Sequence, residues 1–178
     1  VSNSYATGAA LGGMGGTGGR GGTGLPMTMP GIPPMPPMTT PGTDGPGGTG
    51  GNGGASGGLI GTNQGSVTKV YSTGTSNPGA AGQGGLGVGP GGFGQTGISG
   101  GLIGVNTTGG VATSGYWDSY ASGKSAAIGT NSGSSGALLA VTSDPAQSGA
   151  ANYAFSPGAY SNFLSGGAKY EFSRKLVL

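Results

Sequence analysis

The chain contains no cysteine and no histidine. Their absence excludes thiol catalysis, histidine general bases, soft-ligand zinc sites and disulfides. Such a chain, if secreted, must hold itself by hydrogen bonding, repetition or assembly. Charge is scarce as well, with six Lys/Arg and four Asp/Glu among 178 residues. That balance is too small for an electrostatic nucleic-acid footprint, so no nucleic-acid partner is expected. The one adjacent basic pair, Arg174-Lys175, has Glu171 close by. No apolar run reaches the length of a membrane-spanning helix. No secretory signal is visible and the chain does not begin with Met, so a processed product or an excised piece of a longer protein is expected.

What is present is glycine, 48 residues of it, together with 12 prolines. That level of Gly and Pro points to disorder or a low-complexity polymer, yet disorder normally also brings high net charge, and here it is +2. The glycines are ordered in triplets: Gly12-Gly13-Met14, Gly15-Gly16-Thr17, Gly18-Gly19-Arg20 and Gly21-Gly22-Thr23. The rhythm continues through Met29, Ile32, Met35 and Met38, with proline pairs between them, and resumes from Gly47 to Ala55. Three is the period of polyproline II, which has no internal hydrogen bonds, so a bundle bonded laterally is the ordered form to expect. Gly79–Gly94 offers a further member with a broken rhythm. The Met29–Met38 stripe is a candidate interface on a neighbouring chain or on the flank of the fold; the alternative is a flexible exposed loop.

A second pattern is a repeated phrase. Ile60-Gly61-Thr62-Asn63 matches Ile103-Gly104-Val105-Asn106, and more weakly Ile128-Gly129-Thr130-Asn131. An alternating segment from Val67 to Thr73 follows the first copy, and Val111–Tyr116 follows the second. β-Branched segments bounded by Gly and Asn read as strands joined by turns, here near 59–62, 67–72, 102–106 and 111–116. Stacking one copy on the next would give Ile60, Ile103 and Ile128 a shared interior, with Val67, Tyr71 and Val111 as further core or turn positions. Asn63, Asn106 and Asn131 would then form a ladder. The expected fold is all-β: a β-solenoid, or right-handed β-helix, with glycine/proline-rich polyproline II-like insertions. The expected divisions are a first repeat strand at 1–11, a triplet insertion at 12–55, solenoid repeats at 56–136 with an insertion at 75–98, and an aromatic-rich cap at 137–178. Within the cap, Tyr170, Phe172 and Leu176 fall on one strand face and, with Trp117, are further candidate interface residues.

The phrases VSNSYATG at 1–8 and GGLIGTNQGSVTKVYSTG at 57–74 resemble the GLUG repeats of glycine-rich, filamentous-haemagglutinin-like exoproteins of two-partner secretion. Tyr116-Trp117-Asp118 with Ser122-Gly123 is similar to the phrase that closes such arrays. The 12–55 insertion departs from that pattern. The resemblance implies a C-terminal or processed piece of a bacterial surface exoprotein, extracellular, with a β-helical fold and an adhesive or structural role.

Chemical sites are poorly supported. Ala121-Ser122-Gly123-Lys124-Ser125 contains GKS, but Asp118 stands where a phosphate-binding loop needs its first glycine. The GGXGG runs lack the strand and helix of a dinucleotide fingerprint. Asp44, Asp118, Asp144 and Glu171 are the only carboxylates, and their spacing suggests neither acid/base work nor a calcium cage. Trp117 with Tyr116 and Tyr120 reads as core packing before it reads as a sugar platform. Asn106-Thr107-Thr108 fits a glycan acceptor sequence. No catalytic, cofactor or metal residue is expected, and no enzyme. The expected function is a non-enzymatic structural or adhesive surface protein, a filament subunit or part of a large adhesin. Its expected partners are copies of itself, the rest of a parent protein, or a host-surface glycan. Alternatives are a phage or viral attachment component and an ice- or surface-binding protein.

Overall fold

The repeated phrases form strands because their β-branched residues sit between Gly and Asn turns. A computed structural model describes residues 1–29, 38–40, 43–156 and 158–160, with the backbone alone at 27–29 and 38–40. In chain order it places β1 at Ser2–Ala6, β2 at Ala10–Leu11, β3 at Met27–Met29, β4 at Met38–Thr40, β5 at Ser56–Gly57, β6 at Ile60–Asn63 and β7 at Ser66–Ser72. Then come β8 at Ser76–Asn77, β9 at Ser99–Gly100, β10 at Ile103–Asn106, β11 at Val111–Asp118, helix α1 at Ser119–Ser122, β12 at Ile128–Asn131 and β13 at Ser134–Val141.

The chain divides into two compact units. Unit 1 comprises Val1–Gly12, Ala55–Pro78 and Ile98–Leu178; unit 2 comprises Gly13–Gly54 and Gly79–Gly97.

Unit 1 is built on parallel pairing between segments far apart in sequence. One sheet has the order β1-β7-β11-β13 and a second the order β12-β10-β6, with the short pairs β2-β8 and β5-β9 beside them. Register follows the phrases: Ile103 lies opposite both Ile60 and Ile128, and Asn106 opposite both Asn63 and Asn131. The main core gathers Val67, Val70, Leu102, Ile103, Ala112, Trp117 and Ala127, with Ile60, Ile128 and Leu138 packed on its rim. On the other face of the larger sheet, Tyr116, Val141 and Ala154 are buried under Tyr71 and Tyr160.

Simple alternation along β7 would group Val67 with Lys69 and Tyr71. Instead Val67, Val70 and Ser72 are buried. The cause is a left-handed residue within each strand: Asn3, Lys69, Ser114 and Ala137 have φ of 50°, 53°, 52° and 49°. Thr68 pairs with Thr113 and Val70 with Gly115, so Lys69 and Ser114 share one level; Asn3 and Ala137 fall at the same level by their own registers. This column shifts the inward phase by one residue. Each non-glycine member costs about 1–2 kcal/mol, which the shared core offsets.

The expected right-handed β-solenoid is therefore corrected. Among its described residues, unit 1 is a compact globular unit in which several parallel sheets pack on one another through long-range contacts and one short α-helix intervenes. It is not an elongated all-β repeat array. Asp118 starts that helix because its carboxylate accepts from the amides of Tyr120 and Ala121, and Gly123 ends it at φ 65°.

Unit 2 has a different interior. Four extended glycine segments, near 13–22, 45–54, 79–88 and 89–97, bond laterally at every third residue. Gly15, Gly18 and Gly21 donate to the carbonyls of Ala80, Gln83 and Leu86; Gly45, Gly48, Gly51 and Gly54 donate to those of Gly22, Gly19, Gly16 and Gly13. Gly79, Gly82 and Gly85 donate to Gly54, Gly51 and Gly48, while Gly47, Gly50 and Gly53 donate to Gly89, Gly92 and Gln95. Among the described residues, its buried positions, Gly50, Gly79, Gly82 and Gly85, are all glycine. A Cβ on Gly82 would fall against the carbonyl of Gly16, whose carbon would be 2.8 Å away. Beyond the lattice, β3 and β4 pair antiparallel, with Met29 opposite Met38.

Candidate binding edge

The three phrase asparagines are linked side chain to side chain. Asn63 Nδ2 donates to Asn106 Oδ1 at 2.8 Å, and Asn106 Nδ2 donates to Asn131 Oδ1 at 2.7 Å. Each amide also closes its own turn, Asn63 Nδ2 on the carbonyl of Gly65 at 3.0 Å and Asn106 Nδ2 on that of Gly110 at 3.3 Å. Each further reaches the next copy's strand, at the carbonyls of Val111 (3.4 Å) and Ser134 (3.2 Å). Asn63 and Asn106 are buried, so these bonds satisfy groups that would otherwise be costly inside. Asn131 is exposed, and its Nδ2 turns to its own neighbour, Ser135 Oγ, at 2.9 Å.

The ladder thus runs in one direction and ends at β12 and β13. Among the described residues each of these strands is paired on one side only, β12 with β10 and β13 with β11. Residues 134–137 are exposed, and Leu139 is 42% exposed. β13 reads SSGALLAV and contains no charge and no proline. Proteins usually guard an open strand with one or the other.

The described carboxylates are engaged in local structure. Asp44 accepts from the Gly24 amide at 2.8 Å. Asp118 Oδ1 accepts from the amides of Tyr120, Ala121 and Ser143. Asp144 caps the turn at Pro145–Gln147 through the Ala146 amide at 2.9 Å. Among the described residues there is no group of three or more His, Cys, Asp or Glu that could hold a metal ion. Likewise, no described helix is long and apolar enough to cross a membrane.

A tyrosine cluster covers the second core. Tyr160 meets Tyr71 and Tyr116 edge-on, with ring centroids 5.2 and 5.1 Å apart. Burial, then the hydrogen bond to Tyr160, then nearby Asp118 push the Tyr71 phenol well above its ordinary range. Burial also raises Tyr160, against the opposing effect of its bond with Tyr71.

The residues expected from sequence fall in different places. Val67 and Ile103 are buried, and Ile60 and Ile128 lie half-buried on the core rim. Tyr71 is half-buried on the opposite face. Val111 is 39% exposed, because the residue that enters the core at its end of β11 is Ala112. Trp117 is not an exposed interface group: it is 6% exposed, and its Nε1–H donates to the Lys124 carbonyl at 3.0 Å. Met29 and Met38 pair through the β3–β4 backbone, while Ile32, Met35, Tyr170, Phe172 and Leu176 lie outside the described residues. Sequence reasoning missed the cap at Asp118, which the Asp-Ser-Tyr-Ala order could have signalled. It also missed Ser135 as the end of the ladder, for which the sequence carries no signal.

No protein-family model matches the chain, and neither does any curated protein or solved structure. The resemblance to GLUG-repeat exoproteins is corrected on both counts: no family match carries it, and the phrases build a compact packed unit. The filament and adhesin roles fall with it, because internal packing and hydrogen bonding account for the repeated phrase.

Proposed function

We propose that the chain is a non-enzymatic protein-binding module that works outside the cell and accepts an extended segment of another chain at the β12–β13 edge. The observation that carries this reading is the outer side of β13 over Ser134–Leu139, mostly exposed and paired as a strand with β11 alone among the described residues, whereas Ala140 and Val141 beyond it are covered by Asn152 and Ser119. Strand addition at such an edge supplies main-chain hydrogen bonds for affinity and side-chain positions for selectivity. The other edge of the same sheet, β1, is shorter and among the described residues pairs only with β7. The non-enzymatic part rests on the lack of Cys and His and on the described carboxylates, Asp44, Asp118 and Asp144, already holding backbone amides.

Hydrogen exchange tests the edge. In the free chain, the outward amides of β13 should exchange much faster than those of β11. Gly136→Lys should leave the fold intact, since a Cβ there meets nothing nearer than Thr113 Cγ2 at 4.0 Å, and should abolish strand capture. Outward β13 amides as protected as those of β11 would show the edge already covered and sink the reading.

A further inference from the structure

We infer that the segment this edge selects is a further copy of the phrase Ile-Gly-x-Asn, supplied by a different protein and added in parallel beside β12. The inference rests on the binding-edge reading above and names its partner. Its basis is that the same recognition event already occurs twice within unit 1. β10 reads β6 through Ile103–Ile60 and Asn106–Asn63. β12 is read by β10 through Ile103–Ile128 and Asn106–Asn131. Both pairings are parallel and in identical register, although the loops that join them differ in length.

Three features of the phrase explain this selectivity. The asparagine must occupy one level, because its amide donates to the next asparagine and to the next strand's carbonyl together. The glycine after each isoleucine must lack a side chain: a Cβ on Gly104 would sit 2.6 Å from the carbonyl oxygens of Gly61 and Ser56, and one on Gly129 2.6 Å from that of Ser99. The isoleucine must reach the core rim, where Ile128 is only half-buried and can still gain cover. A slip of one residue would break all three features at once. Asn131 is the rung where this series stops, with its Nδ2 on Ser135 Oγ, a contact that a new asparagine carbonyl can replace.

The test uses the full chain and a fluorescent synthetic peptide with the sequence of residues 99–118. Saturable binding is expected, with new exchange protection over Ile128–Asn131 and Ser134–Leu139. A shuffled peptide, and one with alanine in place of the asparagine corresponding to Asn106, should bind at least about tenfold more weakly, the loss of roughly one well-made buried hydrogen bond. Gly136→Lys in the chain should abolish capture of the intact peptide. Equal binding of the shuffled peptide would overturn the phrase inference while leaving the edge reading in place. Failure of the phrase peptide to bind, with edge amides that exchange fast, would do the same. Edge amides protected in the free monomer would remove the binding-edge reading itself. Sedimentation of the chain alone closes the remaining route: a stable dimer seated on this edge would overturn a foreign strand as its occupant.

Discussion

Unit 1 and unit 2 solve the same problem with opposite interiors. Unit 1 buries side chains: Leu102, Ile103, Val67 and Val70 are at most 1% exposed. Unit 2 buries backbone, with glycine at each fully covered position among the described residues, while Met14, Leu86, Val88 and Phe93 stay more than 70% exposed. The hydrophobic effect therefore holds unit 1, as in most domains. In unit 2 the cohesion is a lattice of amide–carbonyl bonds, each of modest net value but made at every third residue. Glycine is costly to order, and the lattice repays that only where segments approach too closely for a Cβ. Tolerance to substitution should then follow side-chain volume in unit 1 and the mere presence of a side chain in unit 2.

The largest effect is expected from Ile103→Asp. It places a lone carboxylate among Leu102, Val67 and Trp117 and should cost more than about 4 kcal/mol, seen as loss of the unit 1 transition in chemical denaturation. Next comes Gly82→Ala, which should cost about 3 kcal/mol or more in unit 2, because the methyl displaces backbone rather than a flexible side chain. Gly16→Ala, where a Cβ meets nothing within 4 Å, should stay within about 1 kcal/mol of wild type when the two glycine variants are compared by thermal melting. Asn106→Ala should cost about 2 kcal/mol, since it removes one acceptor from Asn63 Nδ2 and the donor to Asn131 Oδ1 at one stroke.

The smallest effect near neutral pH is that of the tyrosine cluster. Tyr71 and Tyr160 are held neutral in the folded chain above the range in which an unfolded tyrosine ionises, about pH 10. The unfolded state loses those protons first, so their contribution is complete below that pH and is lost as pH rises beyond it. Tyr71→Phe should show a shallower alkaline decline in melting temperature, checked against the appearance of tyrosinate absorbance on unfolding.

Parts of this architecture are legible in the residues. The triplets at Gly12–Thr23 carry the same period as the lateral bonds, because a threefold backbone faces the same neighbour at every third residue. The Ile-Gly-x-Asn phrases mark strands and turns for local reasons. The solenoid expectation failed because phrase repetition states which segments resemble one another and not how sheets pack between them. Alternation failed at Lys69 and Ser114 because residues with no special φ preference are held left-handed by the strands beside them. The edge was not legible at all. Ser134–Val141 reads as an ordinary apolar strand, and only the sheet order shows that it comes last.

The most direct test of the two interiors is hydrogen exchange by mass spectrometry on Gly82→Ala, with Gly16→Ala as its partner. The lattice account predicts that Gly82→Ala loses protection across 13–24, 45–54 and 79–97 while 102–118 keeps it, and that Gly16→Ala matches wild type in both regions. Equal protection of the glycine segments in the two variants would contradict it, since a bonded glycine interior cannot admit a methyl group at Gly82 without opening.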